Sequence, residues 1–262
     1  MNDQFVKNVL DHGFVRLVSY MQPADSVTRG YHHGSGQMWT GDLEICRATR
    51  NKPDAAWRSP DPNDEKAPHD AKLIAHMQDN DHTSPFEFMD FTFFVQAPLF
   101  VLRQWHRHRT WSYSEFSARY GVMRDLFYVP TPEAVGQQSK SNHQARVMEG
   151  GDLAVAQLFT ESVRENSNAM HEGYQYALEA SVPRELARLL LPMNVYTTMY
   201  AKVDLHNLLH FLRLRLDSHA QHEIRVYAQA ILDLITPIVP VTIDKWRRST
   251  LFVDPTDAPA QP

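Results

Sequence analysis

The sequence of 262 residues predicts one α+β domain that is rich in helix and holds a small antiparallel sheet. Two stretches rich in β-branched and aromatic residues are typical of strands, whereas several longer segments repeat apolar residues at helical spacing. The composition, 43% hydrophobic and 22% charged, is that of a globular protein. Because this length is near the upper size of a single core, we expect one domain over 1–252 and a disordered tail over 253–262.

The first half of the chain contains, in order, a loop, a helix, a strand and a second helix. Four prolines in 51–69 indicate a surface loop, and the apolar spacing in 70–80 predicts an amphipathic helix after it. The aromatic, partly alternating stretch 88–97 predicts a strand. Pro98 suits the start of a helix, so we expect a helix over 99–109.

Helices dominate the second half. In chain order we expect a loop at 131–146, a long helix at 152–180 and a short helix between two prolines at 184–191. A strand at 194–203 and two further helices at 204–215 and 218–239 follow. The last two helices follow from a clear period of 3.6 residues in their apolar positions.

Composition also bears on the compartment. Cys46 is the only cysteine, which excludes an internal disulfide and a metal site built from several cysteines. No apolar run approaches the roughly 20 residues that span a bilayer, and the first residues lack the pattern of a secretory signal. We therefore expect a cytoplasmic protein that does not enter a membrane.

The stretch 103–120, RQWHRHRTWSYSEFSARY, concentrates positive charge and aromatic rings. It holds four arginines, two histidines and five aromatic residues against one carboxylate, Glu115. Such a run could be the solvated end of a helix, a grip for nucleic acid, or the lining of a pocket for an anionic, planar ligand. The net charge of −5 favours the pocket, because nucleic-acid binding usually requires a basic surplus.

Two pairs of arginines in the C-terminal half stand among apolar residues. Arg184 and Arg188 share a helix face, and Arg213 and Arg215 alternate with leucines. A guanidinium on an apolar surface needs an anionic partner. That partner could be a carboxylate in a structural salt bridge, Asp217 or Glu223, or it could be a bound phosphate or an ionisable base.

Familiar motifs of metal and covalent catalysis do not occur. In HAQHE, His219 and His222 are three residues apart with Glu223 outside them, unlike the helix of a zinc protease, so we expect no metal. Cys46 has no distinctive motif around it, and Ser117 lacks the G-x-S-x-G pattern. No glycine-rich dinucleotide motif or P-loop is present either, so a dinucleotide would need another mode of binding.

Four collinear motifs resemble those of the flavin-dependent thymidylate synthases. RHRTWSYSEFS at 107–117 has the RHR triplet, seven residues and a serine that form the signature of that family. HTSPFEF at 82–88 precedes it. PRELARLLLP at 183–192 and LRLRLDSHAQHEI at 212–224 follow it in the family's order and spacing, and the resemblance extends over roughly 40–250.

The resemblance implies a fold, an assembly and a reaction. The family has an α+β domain that forms a homotetramer, with each active site built from several subunits. Its members methylate dUMP to dTMP, with methylenetetrahydrofolate as carbon donor and FAD, reduced by NADPH, as hydride source. We therefore expect these small molecules as partners, and neither nucleic acid nor a membrane.

The resemblance also implies site residues. Those expected at the flavin are Ser84, Arg107, His108, Arg109, Glu115, Asp204, Leu205, His206 and His210, with His82 close to flavin and folate. Those expected at the nucleotide are Gln104, Trp105, His106, Arg107, Glu115, Phe116, Ser117, Ala118, Arg119, Arg188 and Arg215. Arg188 would bind the phosphate of dUMP, and Arg215 would lie against the uracil ring as the catalytic residue.

The segment 204–206 departs from the family. The common pattern there is Asn-x-Arg, whereas this chain has Asp204, Leu205 and His206. An aspartate accepts hydrogen bonds but cannot donate as an amide does, and a histidine in place of arginine removes a permanent charge.

The chemistry expected of Arg215 has a physical basis. Uracil needs electron density at C5 before it can attack a one-carbon electrophile. A thiolate at C6 can supply this density, but the chain has no convincing thiol nucleophile. A guanidinium beside the pyrimidine carbonyl and N3 can instead stabilise the enolate-like, N3-deprotonated form.

Overall fold

The computed structural model of the protein describes residues 3–21, 40–50, 67–140 and 145–249. The predicted tail and most of the predicted loop 51–69 lie outside these residues. The described part is rich in helix and contains a small antiparallel sheet, which confirms the predicted class of fold.

Within the part of the chain that the structure describes, seven strands form two sheets. The strands are β1 (Val6–Val9), β2 (Gly13–Tyr20), β3 (Asp90–Pro98), β4 (Ser112–Glu115), β5 (Gln137–Gln138), β6 (Arg146–Val147) and β7 (Tyr196–Asp204). Five of them form the main sheet in the order β1-β2-β3-β7-β4, and every neighbouring pair is antiparallel. β5 and β6 form a separate two-stranded sheet.

The described residues also contain helices that connect and flank these strands. They are α1 (Thr40–Arg50), α2 (Ala67–Asp79), α3 (Leu99–Trp105), α4 (Pro132–Val135), α5 (Leu153–Glu179), α6 (Arg184–Ala187), α7 (Leu205–Arg215), α8 (His222–Ile235) and α9 (Pro240–Arg247). Short 3-10 turns cover Asp3–Phe5, Ser84–Phe88 and Arg188–Leu190. None of these helices is long and apolar enough to cross a membrane.

β3 and β7 form the centre of the sheet. Alternate residues of β3, Phe91, Phe93 and Val95, are fully buried, as expected for a strand with one face on the core. Phe93 lies opposite Ala201 in β7, and this face packs against α7 and α8 in one large apolar cluster. The predicted strands are therefore confirmed, with bounds shifted by about two residues.

The predicted helix over 99–109 is wrong in its second half. α3 ends at Trp105, and the chain turns there, with the N–H of His108 donating to the carbonyl of Trp105 at 3.0 Å. The hydroxyl of Tyr113 donates to the carbonyls of Trp105 and His108, at 3.1 and 2.9 Å. The indoles of Trp105 and Trp111 pack edge to face at 5.8 Å. These contacts fold the chain back into β4, which the sequence analysis did not predict.

Other elements differ in extent. The predicted helix 218–239 is shorter, since α8 begins at His222 and ends at Ile235, and Pro240 then starts α9. The predicted helix 184–191 is α6 followed by a 3-10 turn. The predicted loop 131–146 contains α4 and β5. The helices predicted over 152–180 and 204–215 are confirmed as α5 and α7, whereas α1 and the hairpin β1–β2 were not predicted.

Candidate active site

Helix α7 carries several of the expected site residues, and Asp204 fixes the start of this helix. One carboxylate oxygen of Asp204 accepts from the backbone N–H of Asn207 at 2.9 Å, and the other from its side-chain amide at 2.7 Å. This is the N-cap of the helix, so the residue that departs from the family pattern is engaged in starting α7. Leu208 and Phe211 are buried on one face of α7, so residues on the other face of the helix are available to line a site.

Arg215 ends α7 and is held by neutral groups. Its Nε donates to Nε2 of His108 at 2.9 Å, and its Nη2 donates to the carbonyl of Gln104 at 3.1 Å. Within the described residues no carboxylate pairs with it. The burial of this guanidinium and the nearby charge of Arg107 lower its pKa. A half-buried guanidinium that has no carboxylate partner favours the binding of an anionic ligand.

The alternative of a structural salt bridge for Arg215 is wrong. Asp217 instead accepts from the backbone N–H of His219 at 2.8 Å. Glu223 is buried and bonds Nη2 of Arg146 at 2.7 Å. Both candidate carboxylates are therefore engaged elsewhere.

His108 is buried beneath Arg215 and serves as its acceptor. Burial, Arg215 and His210 lower the pKa of His108 to about 4, so the ring is neutral at pH 7. Because Nε2 accepts from Arg215, we assign the ring proton to Nδ1. A neutral imidazole at this place orients the guanidinium without adding a competing positive charge.

A cavity of about 560 Å³ opens above these groups. Its lining residues are Arg107, His108, Arg109, Thr110, His210, Leu214 and Arg215. This lining has three arginines and two histidines but no carboxylate. Its volume and charge fit a ligand that carries phosphates, and the flavin dinucleotide expected here is such a ligand.

A second cavity, of about 280 Å³, meets the first at His210. Its lining includes His82 and His206, which were both expected at the flavin or close to it. Ser84 begins the 3-10 turn Ser84–Phe88, is exposed, and lines neither cavity. Leu205 is fully buried in the core beside β7.

The expected nucleotide residues 116–119 gather at a different place, beside α6. The backbone N–H of Arg119 donates to Oγ of Ser117 at 3.3 Å, and the Arg119 guanidinium lies 3.5 Å from the carboxylate of Glu185. Nε of Arg188 donates to the carbonyl of the same Glu185 at 3.2 Å. We call Ser117, Arg119 and Arg188 the second cluster. None of its members lines either cavity.

The remaining expected residues lie in the segments that carry the larger cavity and the second cluster, or in the core beneath them. The ring of His106 packs edge to face on Tyr113 at 4.8 Å and lies 3.9 Å from the carboxylate of Glu115. Phe116 and Ala118 belong to the segment after β4 that also carries Ser117 and Arg119. Trp105 has no exposed surface, so its side chain packs in the core beneath the site and does not face a ligand.

Sequence reasoning missed a polar network that runs from Gln104 to the buried carboxylate of Glu223. The side-chain amide of Gln104 donates to Gln221, which donates in turn to Glu223 at 2.8 Å. Glu223 also accepts from the hydroxyl of Tyr128 at 3.0 Å and from Arg146. The partners lie far apart in the sequence, and no local pattern predicts them.

Sequence reasoning also missed Leu214, which lines the larger cavity. Its helical spacing of four residues from His210 could have identified it.

The single cysteine of the chain does not have the properties of a nucleophile. Cys46 is fully buried in α1, and burial, with Asp70 nearby, raises the pKa of its thiol to about 12. The described residues contain no group of three or more histidine, cysteine or acidic residues placed to hold a metal ion.

The fold and the cavity define an α+β protein with a cationic pocket for an anionic ligand, and comparisons with known proteins narrow this class. Residues 16–241 match the family model described as thymidylate synthase complementing protein. A flavin-dependent thymidylate synthase of Wolbachia pipientis wMel is 39% identical over 238 residues, covering 91% of this chain and 75% of that protein. The corresponding protein of Dictyostelium discoideum is 44% identical over 245 residues, covering 91% and 72%.

A solved structure is similar as well. The UMP/dUMP methylase PolB from Streptomyces cacaoi, in crystals with 5-Br UMP, has a TM-score of 0.75 and 28% identity, covering 94% of this chain and 98% of that one. The chain therefore belongs to the family of flavin-dependent thymidylate synthases and is an enzyme of that family.

Proposed function

We propose that this enzyme methylates dUMP to dTMP, taking the carbon from methylenetetrahydrofolate and the hydride from FAD reduced by NADPH. The observation that carries the proposal is Arg215, a half-buried guanidinium without a carboxylate partner among the described residues, at a cavity lined by two further arginines. Relatives named flavin-dependent thymidylate synthases and the UMP/dUMP methylase bound with 5-Br dUMP support the reaction and the substrate.

The larger cavity is the proposed flavin site. Arg107 and Arg109 would bind the phosphates of FAD, since guanidinium groups pair with phosphate through two parallel hydrogen bonds. His108 and His210 would contribute ring nitrogens from the cavity wall. When bound, the reduced flavin would supply the hydride that completes the methyl group.

Arg215 is the proposed catalytic residue. Its guanidinium would lie beside a carbonyl and N3 of uracil, where it would stabilise the enolate-like, N3-deprotonated form whose C5 attacks the carbon donor. His108 and the carbonyl of Gln104 hold Nε and Nη2, and this leaves the other N–H groups free for the pyrimidine. The reaction would need no cysteine nucleophile, consistent with the burial and raised pKa of Cys46.

The second cluster is the proposed site of the nucleotide phosphate. Arg188 would bind the phosphate, with Ser117 and Arg119 beside it. Since none of these residues lines the cavity at Arg215, we propose that subunits of a homotetramer bring the two places together. Apolar residues exposed around the second cluster and along α5 support association: Leu153, Val155, Leu158, Phe159, Met170, Tyr176, Leu186, Leu189, Leu190 and Met193.

An assay of dTMP formation with components omitted one at a time tests the proposal. The complete mixture holds dUMP, methylenetetrahydrofolate, FAD and NADPH, and we expect product only when all four are present. A parallel reaction with UMP tests the ribonucleotide, because the similar solved structure is a UMP/dUMP methylase. Methylation that continues without flavin, or product formed from UMP but not from dUMP, would overturn the proposal.

A further inference from the structure

The segment 116–123, which follows β4, folds into a tight turn at Ser117. The backbone N–H groups of Tyr120 and Gly121 both donate to the carbonyl of Ser117, at 3.0 and 3.1 Å. The ring of Phe116 covers Gly121 so closely that a Cβ at this glycine would clash with it. The phosphate contacts expected on this segment are therefore presented by a folded turn.

Arg184 in α6 ties the middle of the segment. Its Nη1 donates to the carbonyl of Tyr120 at 3.1 Å. The next residue, Glu185, lies 3.5 Å from the guanidinium of Arg119, so α6 meets the turn through two neighbouring side chains. Arg188, which shares a helix face with Arg184 in the sequence, was expected at the phosphate, whereas no role was expected for Arg184.

Tyr174 in α5 ties the end of the segment. Its hydroxyl accepts from the backbone N–H of Met123 at 3.2 Å. Tyr174 has no exposed surface, and Met123 is 6% exposed, so this contact is made away from water. A buried backbone N–H costs free energy when it has no acceptor. The hydroxyl of Tyr174 therefore fixes the path of the chain as it leaves the turn.

One small apolar cluster supports both parts of the second cluster. It contains Tyr174 and Ala187 with other buried residues, and Ala118 packs against it. Ala118 stands between the two members of the second cluster on this segment, and Ala187 directly precedes Arg188. The backbone on both sides of the expected phosphate site thus rests on one core, to which Tyr174 adds a hydrogen bond.

We propose that Tyr174 and Arg184 are positioning residues that hold the turn of 116–123 in the conformation that binds the phosphate of the nucleotide. Neither side chain needs to touch the ligand. When only a fraction of the molecules has the binding conformation, the apparent Kd equals the intrinsic Kd divided by that fraction. The identity of the ligand, dUMP, rests on the proposed function, whereas the two contacts do not depend on it.

Two substitutions release these ties separately. Tyr174→Phe keeps the ring in the apolar cluster and removes only the hydroxyl. Arg184→Ala removes the guanidinium, and Arg184→Lys restores a cationic donor. Matched controls are Tyr200→Phe, which removes a hydroxyl from a half-exposed tyrosine of β7, and Arg248→Ala, which removes an exposed arginine of the C-terminal region.

Calorimetry measures the Kd of dUMP for the flavin-loaded full chain, and initial rates of dTMP formation give kcat and KM. We expect Tyr174→Phe to raise the Kd about fivefold and Arg184→Ala about tenfold, as for the loss of one neutral and one charge-assisted hydrogen bond. The value of kcat at saturating dUMP should not change, because only binding is weakened. Arg184→Lys should recover part of the affinity, and both controls should bind dUMP as the wild type does.

Deoxyuridine, which has the base and sugar of dUMP but no phosphate, separates positioning from a general loss of structure. Its Kd, measured by competition with dUMP, should be the same in the wild type and the variants, because the turn acts on the phosphate. Hydrogen exchange of the backbone amides in 116–123 should be faster in Tyr174→Phe and Arg184→Ala, and it should slow again when dUMP binds.

The inference is overturned if both variants bind dUMP as the wild type does, if their Kd for deoxyuridine rises as much as that for dUMP, or if exchange within 116–123 is unchanged. A wild type that binds dUMP but forms no dTMP would refute the proposed reaction and leave the two positioning roles standing. A wild type that does not bind dUMP would overturn both.

Discussion

At the scale of one residue, Arg215 shows how an enzyme can hold a guanidinium in place for an anionic ligand. Its neighbours are a neutral imidazole and a backbone carbonyl, which orient the guanidinium without neutralising it. The sequence predicted that this arginine lies on an apolar surface and needs an anion. It could not predict His108 as the acceptor, because that contact joins residues 107 positions apart through the packing of α7 on the α3–β4 turn.

Removal of this guanidinium should slow catalysis strongly without loss of the flavin. We expect Arg215→Ala to lower the rate of dTMP formation by about 10²–10³-fold, the effect typical of deleting one donor to a developing oxyanion. The absorbance of bound FAD and the rate are measured on the same preparation. Arg248→Ala removes an exposed arginine whose guanidinium pairs with Asp244, and it should retain full activity. Wild-type turnover in Arg215→Ala would exclude Arg215 from the mechanism.

Asp42 should make stability depend on pH. It is buried and accepts from the N–H groups of Val241 and Thr242, yet burial raises the pKa of its carboxyl to about 6. A raised pKa in the folded state means that stability is greatest below the ordinary pKa and falls as the pH rises to about 6.

Urea unfolding of the wild type and Asp42→Asn, from about pH 4 to about pH 8, checks this effect. The free energy of unfolding of the wild type should fall relative to the variant by about 1 kcal/mol per pH unit below pH 6 and then level off. Parallel profiles for the two proteins would show that Asp42 does not titrate in this range.

At the scale of elements, the network behind Gln104 fixes α8 against α3. Burial would raise the pKa of Glu223, but Arg146 and the hydrogen bonds to the carboxylate lower it overall, so the group is ionised and paired. The sequence predicted α5 and α7 from apolar residues at helical spacing, and the central strands from their β-branched and aromatic residues. It did not predict the end of α3 or the strand β4, which depend on tertiary contacts of Trp105, Trp111 and Tyr113.

Breaking this ion pair should destabilise the protein strongly. Arg146→Met leaves the buried carboxylate of Glu223, which is 1% exposed, without its charged partner, and such a loss costs about 3–5 kcal/mol. Urea unfolding measures the change. Lys202→Met breaks an exposed pair with Asp90 and should change stability by less than about 1 kcal/mol. Equal effects of the two substitutions would contradict the account of this network.

At the scale of the whole molecule, the expected site residues fall into two groups. No member of the second cluster lines the cavity at Arg215, and apolar residues next to Arg188 in the chain are exposed. The resemblance of the motifs predicted the members of both groups, because each motif is local. The placement of the two groups depends on the tertiary arrangement of the elements that carry them, so it could not be read from the sequence.

Mixing two inactive variants tests whether subunits share sites. Arg188→Ala and Arg215→Ala should each be inactive alone, whereas mixed assemblies in which the subunits exchange should recover part of the wild-type rate, since some sites then contain both arginines. Light scattering on the wild type should show a tetramer. No recovery in assemblies that demonstrably contain both variants would place each complete site within one chain.

The central claim is that this chain methylates dUMP with a flavin and an arginine and without a cysteine nucleophile. The most direct measurement is the rate of dTMP formation by Cys46→Ala, with dUMP, methylenetetrahydrofolate, FAD and NADPH, expressed per folded protein. Cys46 is buried and its thiol has a raised pKa, so we predict a rate equal to that of the wild type. Loss of dTMP formation in a folded, flavin-bound Cys46→Ala protein would contradict the claim.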